Sequence, residues 1–164
     1  MLLIIAGIIV VILVIMMLDR SFYQVQVTNE VEANIEDVWR ILAEEYDNIH
    51  QYSEHVDAVE ILSEDDFGMD CVRKCTLTDG GFMQEKITAY DPFKKLEITI
   101  EDSSMPMVPG TRVIFELEDQ GNSVKVTATG LYRIKFMGPF SPMIAKAKYT
   151  ELIQYLIEIV KLNT

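Results

Sequence analysis

The stretch Gly80–Asp91, GGFMQEKITAYD, sets a carboxylate inside an apolar alternation. Read as a β-strand, it places Met83, Glu85, Ile87 and Ala89 on one face and Phe82, Gln84, Lys86 and Thr88 on the other. A carboxylate on the more apolar face is tolerated where it is paired, protonated or wet. Glu85 therefore points to a water-containing cavity, where it would orient a polar group of a ligand or bind water; the alternatives are a solvated outer-face glutamate, or one paired with Arg73 on the neighbouring strand. On the cavity reading, Glu85→Gln removes a costly buried charge and leaves stability near neutral or slightly higher.

Other reactive side chains are few. His50 and His55 are the only histidines, five residues apart, with Asp47, Glu54 and Asp57 close enough in sequence to orient one for general-base work. Their setting fits ordinary polar groups at a helix end better. Cys71 and Cys75 fall four apart in an expected strand, which separates their Cα atoms by about 13 Å. A disulfide needs roughly 4.4–6.8 Å, so free thiols and a reducing compartment are expected. A C-x3-C spacing without a second pair is not a metal motif. Nothing matches a nucleophile elbow, a P-loop, a dinucleotide-binding turn or a zinc-protease helix, so no catalytic residue, metal or cofactor is implied.

The formal net charge of −12 is spread along the 164 residues, which argues against nucleic acid as a partner. The first 18 residues, MLLIIAGIIVVILVIMML, carry no charge. As a helix this run is about 27 Å long, close to the roughly 30 Å of a bilayer's hydrocarbon core. It lacks the basic start and small-residue end of a cleaved leader, so residues 1–18, with Leu2, Ile8 and Val14 in lipid, are expected to remain as a single-pass anchor. Arg20 follows the run, which places the domain, residues 19–164, on the cytoplasmic side. One stretch, YRIKFMGPFSPMIAKAK, is both basic and apolar, and it reads equally as a cavity mouth touching anionic headgroups or as a loop over a helix start.

The elements that must position these groups follow from periodicity and turn residues. SFYQVQVTNEV alternates as a strand. NIEDVWRILAEEY has helical spacing, with Asn34 as N-cap and Asp37 at the third helical position. DNIHQYSEHV reads as a second short helix capped by Asp47. From Ala58 onward, strands alternate with the turns EDDFG, TDGG, DPFKK and DQGN and the loop SSMPMVPG. A long helix opens with Ser141 and Pro142 and carries Ile144, Tyr149, Leu152, Ile153, Leu156, Ile159 and Val160 as one apolar stripe. The class is α+β: a strand, two short helices, six strands, a long helix. An antiparallel sheet of about seven strands has one face to bury, and the terminal helix is the large apolar surface available to cover it. Space between the two would give Glu85 its cavity.

VEANIEDVWRIL, DNIHQYSEHVDAVEIL, GMDCVRKCTLTDGGFMQEKITAYD and the closing helix together resemble the START-like (SRPBCC) superfamily over roughly residues 22–162. That superfamily holds polyketide cyclase/dehydrase and lipid-transport proteins, and the resemblance implies a helix-grip fold. The branch most similar includes the plant abscisic acid receptors, whose E-[KR]-[LI]-x-x-[LY]-D segment places its glutamate in the ligand cavity. Here that segment is EKITAYD, which carries the cavity role to Glu85. Asp57 stands where those receptors have their cavity lysine, LTDGG replaces their gate, and no latch precedes Thr111, so an acidic ligand held by a lysine is not implied. The expected function is a membrane-anchored domain that binds or carries a hydrophobic small molecule or lipid. Met83, Glu85, Ile87, Arg73, Tyr149 and Leu152 are its candidate ligand-binding residues. The alternatives are a polyketide cyclase- or dehydratase-like enzyme using the same cavity, and a purely partner-binding module.

Overall fold

The computed structural model describes residues 22–105, 107–133 and 141–164. Among them, β1 (Tyr23–Val31) leads into two short helices, α1 (Ile35–Trp39) and α2 (Ile49–Tyr52). Six further strands follow: β2 (Val56–Ile61), β3 (Val72–Leu77), β4 (Phe82–Asp91), β5 (Lys95–Ser103), β6 (Arg112–Asp119) and β7 (Val124–Tyr132). A 23-residue helix, α3 (Ser141–Asn163), ends the chain. The seven strands form one antiparallel sheet in the order β1-β7-β6-β5-β4-β3-β2. Consecutive strands from β2 to β7 pair as a meander, and β1 closes onto β7 with Tyr23 opposite Tyr132. Among the described residues no helix is long and apolar enough to cross a membrane. The apolar run 1–18 lies outside them.

Local sequence explains most of these elements. Asn34 caps α1, its Oδ1 accepting the Asp37 backbone N–H at 2.8 Å while its Nδ2 donates to the Asp37 carboxylate at 2.7 Å. Gly80 supplies the positive φ of 84° that the β3–β4 turn requires. The long helix occupies the expected span.

Three expectations fail, each for a physical reason. Asp47 does not cap the second helix; it lies inside a 3-10 turn, Tyr46–Asn48, and its carbonyl accepts from His50 Nδ1 at 3.0 Å. Ala89 does not share the face of Met83, Glu85 and Ile87. Ile87 sits opposite Ile98, Ala89 opposite Glu97 and Tyr90 opposite Leu96, so β4 holds one extra residue and its alternation slips. Tyr90 thereby turns inward, edge-on to Trp39 with ring centroids 5.1 Å apart. Lastly, Ile144 is exposed, and the stripe on α3 divides into two flanks.

Tyr149, Ile153, Ile157 and Val160 are buried at spacings that put them on one side of α3. That side lies on β1 and β7, over Val25, Val126 and Ala128. Leu152, Tyr155, Leu156 and Ile159 form the other flank, which faces open space. The close side is permitted by Gly130 on β7. A Cβ built there would come within 2.3 Å of Tyr149 Cε1 and 2.6 Å of Ile153 Cδ1. Gly130→Ala is therefore expected to cost about 1–3 kcal/mol of stability, as overpacking does in a filled core. Chemical denaturation checks this; a loss below about 0.5 kcal/mol would show that Tyr149 has room to swing away.

Candidate functional site

Because α3 presses on β1 and β7, the inner faces of β3 to β6 are left without close cover. The space between is a cavity of about 410 Å³, within the usual range for small-molecule sites of roughly 300–1,000 Å³. Its walls are mostly apolar: Leu152, Leu156 and Ile159 from α3, and Ile98, Ile100 and Phe115 from the sheet. Ile41 and Leu42 reach it from a π-helical turn, Arg40–Glu44, that extends α1. Met105 and Met107 close it from the β5–β6 loop.

The polar centre is a cross-strand ion pair. Arg73 on β3 stands directly opposite Glu85 on β4. Its Nε donates to Glu85 Oε2 at 2.7 Å, and an Nη nitrogen lies 2.6 Å from the same oxygen. The two side chains are 5 % and 9 % exposed, so both charges are withdrawn from bulk water. Cys75, two residues along β3 on the same face, also lines the cavity, and burial pushes its thiol up to about 12. The pair acts on that thiol in opposite senses, Arg73 lowering and Glu85 raising it, so burial decides.

This pair answers the question the sequence raised. Glu85 is on the inner face and is paired there. For Glu85→Gln the pairing shifts the expected outcome from near-neutral stability to a loss, because the change would break a buried ion pair. Met83, Arg73 and Leu152 join Glu85 in the lining. Ile87 and Tyr149 do not. Ile87 is fully buried in solid core, and Tyr149 packs its ring 4.8 Å from that of Tyr132 with its hydroxyl donating to the Arg112 carbonyl at 3.4 Å. Burial raises the Tyr149 phenol, with the Glu85 charge adding to the effect.

A second polar group sits where α1 gives way to α2. The Tyr52 hydroxyl donates to Glu45, whose other carboxylate oxygen takes Arg40. The hydrogen bond from Tyr52 lowers the Glu45 carboxyl and raises the Tyr52 phenol. Nearby, Tyr155 on α3 accepts the Glu54 backbone N–H at 3.1 Å and sets its ring, tilted by 51°, 5.0 Å from that of His55. His55, Thr78 and Asp79 are exposed yet line the cavity, which marks its rim at the β3–β4 turn. His50 is not among the lining residues.

Sequence reading missed Glu45, Tyr52, Tyr155 and the two methionines. The residues Glu45 and Tyr52 are seven apart across a break in the helix, and the π turn that aims Glu45 inward has no sequence signature. A signal did exist for Met105 and Met107: two large apolar side chains, followed by Val108, in a loop otherwise built from Ser, Pro and Gly.

Solved structures similar to this chain share its fold. The crystal structure of Ara h 8.0201 superposes with a TM-score of 0.70 at 14% identity, over 85% of this chain and 95% of that one. A START superfamily protein from Mycobacterium smegmatis gives 0.68 at 16% identity, over 84% and 94% of the two chains. The protein XoxI from Bacillus cereus gives 0.69 at 10% identity, over 85% and 93%. At these identities the likeness is one of fold, a seven-stranded antiparallel sheet with a long C-terminal helix in helix-grip arrangement. No curated protein matches the chain in sequence. The family model described as polyketide cyclase / dehydrase and lipid transport matches residues 23–161, almost the whole described domain, and the chain belongs to that family.

Proposed function

We propose that this domain binds or carries a hydrophobic small molecule or lipid, with its polar head beside Arg73 and Glu85. One observation carries the reading: an apolar cavity of about 410 Å³ whose deepest charges are a closed, buried pair. Apolar walls supply affinity through surface removed from water, and a few fixed polar groups supply orientation.

The family description also covers cyclases and dehydrases, and such an enzyme would need a cavity group that exchanges protons near neutral pH. Four titratable groups at or beside the cavity are pushed the other way. Cys75 is raised to about 12, Tyr149 and Tyr52 are raised, and Glu45 is lowered. Their settings favour binding over turnover. Native mass spectrometry separates the two: co-purified lipid speaks for a carrier, and an empty cavity that turns over a substrate panel speaks for an enzyme.

We further propose that residues 1–18 hold the protein in the membrane with the domain on the cytoplasmic side. Four residue steps separate Leu18 from Phe22, at most about 14 Å of extended chain. Phe22 lies under the Arg133 guanidinium, 5.1 Å from its ring, at the end of the sheet where β1 begins and β7 ends. The antiparallel order puts the β3–β4 turn and the β5–β6 loop at that same end. An anchor so closely tied would bring the cavity rim towards the bilayer.

Two measurements follow. Glu85→Gln should weaken binding of a polar-headed apolar ligand by about 1–3 kcal/mol, and should lower stability by about 3–5 kcal/mol because a buried ion pair is broken. The double change Arg73→Met/Glu85→Leu should restore stability to near the starting value while the affinity loss persists. Unchanged affinity in both variants, for a ligand shown to occupy the cavity, would remove the pair from recognition. For the anchor, the intact chain should float with membranes and keep its N-terminus. Asn122→Cys, in the exposed β6–β7 turn, should react with an impermeant maleimide only after permeabilisation, since both native cysteines are buried. Labelling from outside intact cells would reverse the orientation.

A further inference from the structure

Charge is unevenly spread along this acidic chain. Between Asp119 and Glu151 the sequence has no acidic residue, and its cations there include Arg133, Lys146 and Lys148. The fold carries these three to one corner of the domain, where β1 begins, β7 ends and α3 begins. The Tyr149 ring lies against Tyr132, the last residue of β7, and the helix runs inward from there to bring Ile153 over Gly130. Met143 is six residues earlier on α3, so it extends about 9 Å in the opposite direction, past the end of the sheet. At about 100° per residue, Met143, Ile144 and Ala147 point away from the buried Tyr149 side, and Lys146 and Lys148 flank them on either edge. Met143 is 77% exposed and Ile144 60%. Phe22, under the Arg133 guanidinium at the same corner, is exposed as well.

We propose that this corner docks on an anionic bilayer surface, with Met143, Ile144 and Phe22 in the headgroup–acyl boundary and Lys146 and Lys148 on the headgroups. The inference rests on the anchor reading and adds to it the face that the domain turns to the lipid. Two independent observations choose this occupant. The first is the tether: Leu18 stands four residue steps from Phe22, so the anchoring bilayer lies within about 14 Å of the corner. The second is charge. Phe67 and Met69, exposed on the β2–β3 loop at the opposite end, sit among Glu64, Asp65, Asp66 and Asp70, which an anionic surface repels. An apolar strip edged by lysines is the pattern of a helix lying in the membrane interface, where lysine stems cover the strip and their heads stay in water. Lys148 also holds Glu151 at 2.9 Å, which offsets part of its charge, so Lys146 carries the larger share. Exposed acids at the anchored end, Asp79 and Asp102, stand on the β3–β4 turn and on β5. They are two to three strands from β7, about 10–14 Å away and beyond a Debye length in physiological salt. The domain thus tips onto its β1–β7 side, which leaves the cavity rim beside the bilayer rather than in it.

The test uses the full chain in phosphatidylcholine vesicles containing about one-third phosphatidylglycerol. Ile144→Cys and, as a control at the far end, Met69→Cys are labelled with an environment-sensitive dye, since both native cysteines are buried. The Ile144 label should shift to the blue and be quenched by doxyl groups on the lipid chains at least about three-fold more than the Met69 label. Lys146→Gln/Lys148→Gln should lower the ratio of docked to undocked domain by about ten-fold, at roughly five-fold for each full lysine charge near the surface. Salt at about 0.5 M, which needs no further variant, should act in the same direction. Vesicles that carry the chain while the two labels are quenched alike would overturn the inference and leave the anchor reading standing. Equal quenching of the Ile144 label in pure phosphatidylcholine would do the same, as would a label shielded by a second copy of the chain and untouched by doxyl. A chain that fails to float with the vesicles would remove both readings together.

Discussion

The contact on which this architecture turns is the approach of α3 to β7 at Gly130. A side chain there would collide with the Tyr149 ring, so the missing Cβ lets the helix settle against β1 and β7. A straight helix cannot follow a twisted sheet across seven strands, so close packing on one side leaves a gap on the other. The gap falls over β3 to β6. This division also sorts the helix residues. Ile153 and Ile157, which close on the sheet, are almost fully buried, whereas Leu152 and Leu156, one flank over, keep part of their surface open.

The pair Arg73–Glu85 exists because of that gap. In a filled core, replacing two matched charges by apolar side chains is often neutral or stabilising, so a buried ion pair is weak evidence for stability as such. Its worth lies in what it does to the space beside it. Bound to each other across one register position of β3 and β4, the two groups offer a large local dipole with no net charge. Removing one member breaks this contact in a dry setting, which is why altering the pair together should cost less stability than altering either alone.

Much of this fold was legible in the sequence because the deciding signals are local. Asn34 with Asp37, the glycines of TDGG and the Pro92 turn each act within a few residues, and each element they bound lies where expected. The errors share another cause. Ala89 and Tyr90 exchange faces because β5 pairs with one residue fewer than β4 supplies, a fact of the partner strand rather than of EKITAYD itself. Asp47 loses its capping role because the chain first makes a tight turn. One apolar stripe became two flanks because periodicity reports which residues avoid water, and both a core and a cavity wall satisfy it. Of the candidate site, Glu85, Arg73, Met83 and Leu152 were legible from strand alternation and helix spacing. Glu45 and Tyr52 were not, since a π turn and a helix break bring them to the lining together.

The titratable side chains near the cavity report on its interior independently of the ion pair. Burial raises the Cys75 thiol to about 12, even though a guanidinium on the same strand face pulls the other way. The Tyr149 phenol is raised for the same first reason. In both cases the neutral form wins because the surroundings solvate a new charge poorly. Arg73 and Glu85 are bonded to each other in that environment, an arrangement that offsets part of the cost of burying two charges. A wall that penalises a new charge on Cys75 would penalise one on any group set against it, so the apolar lining and the buried pair are two expressions of the same dry interior.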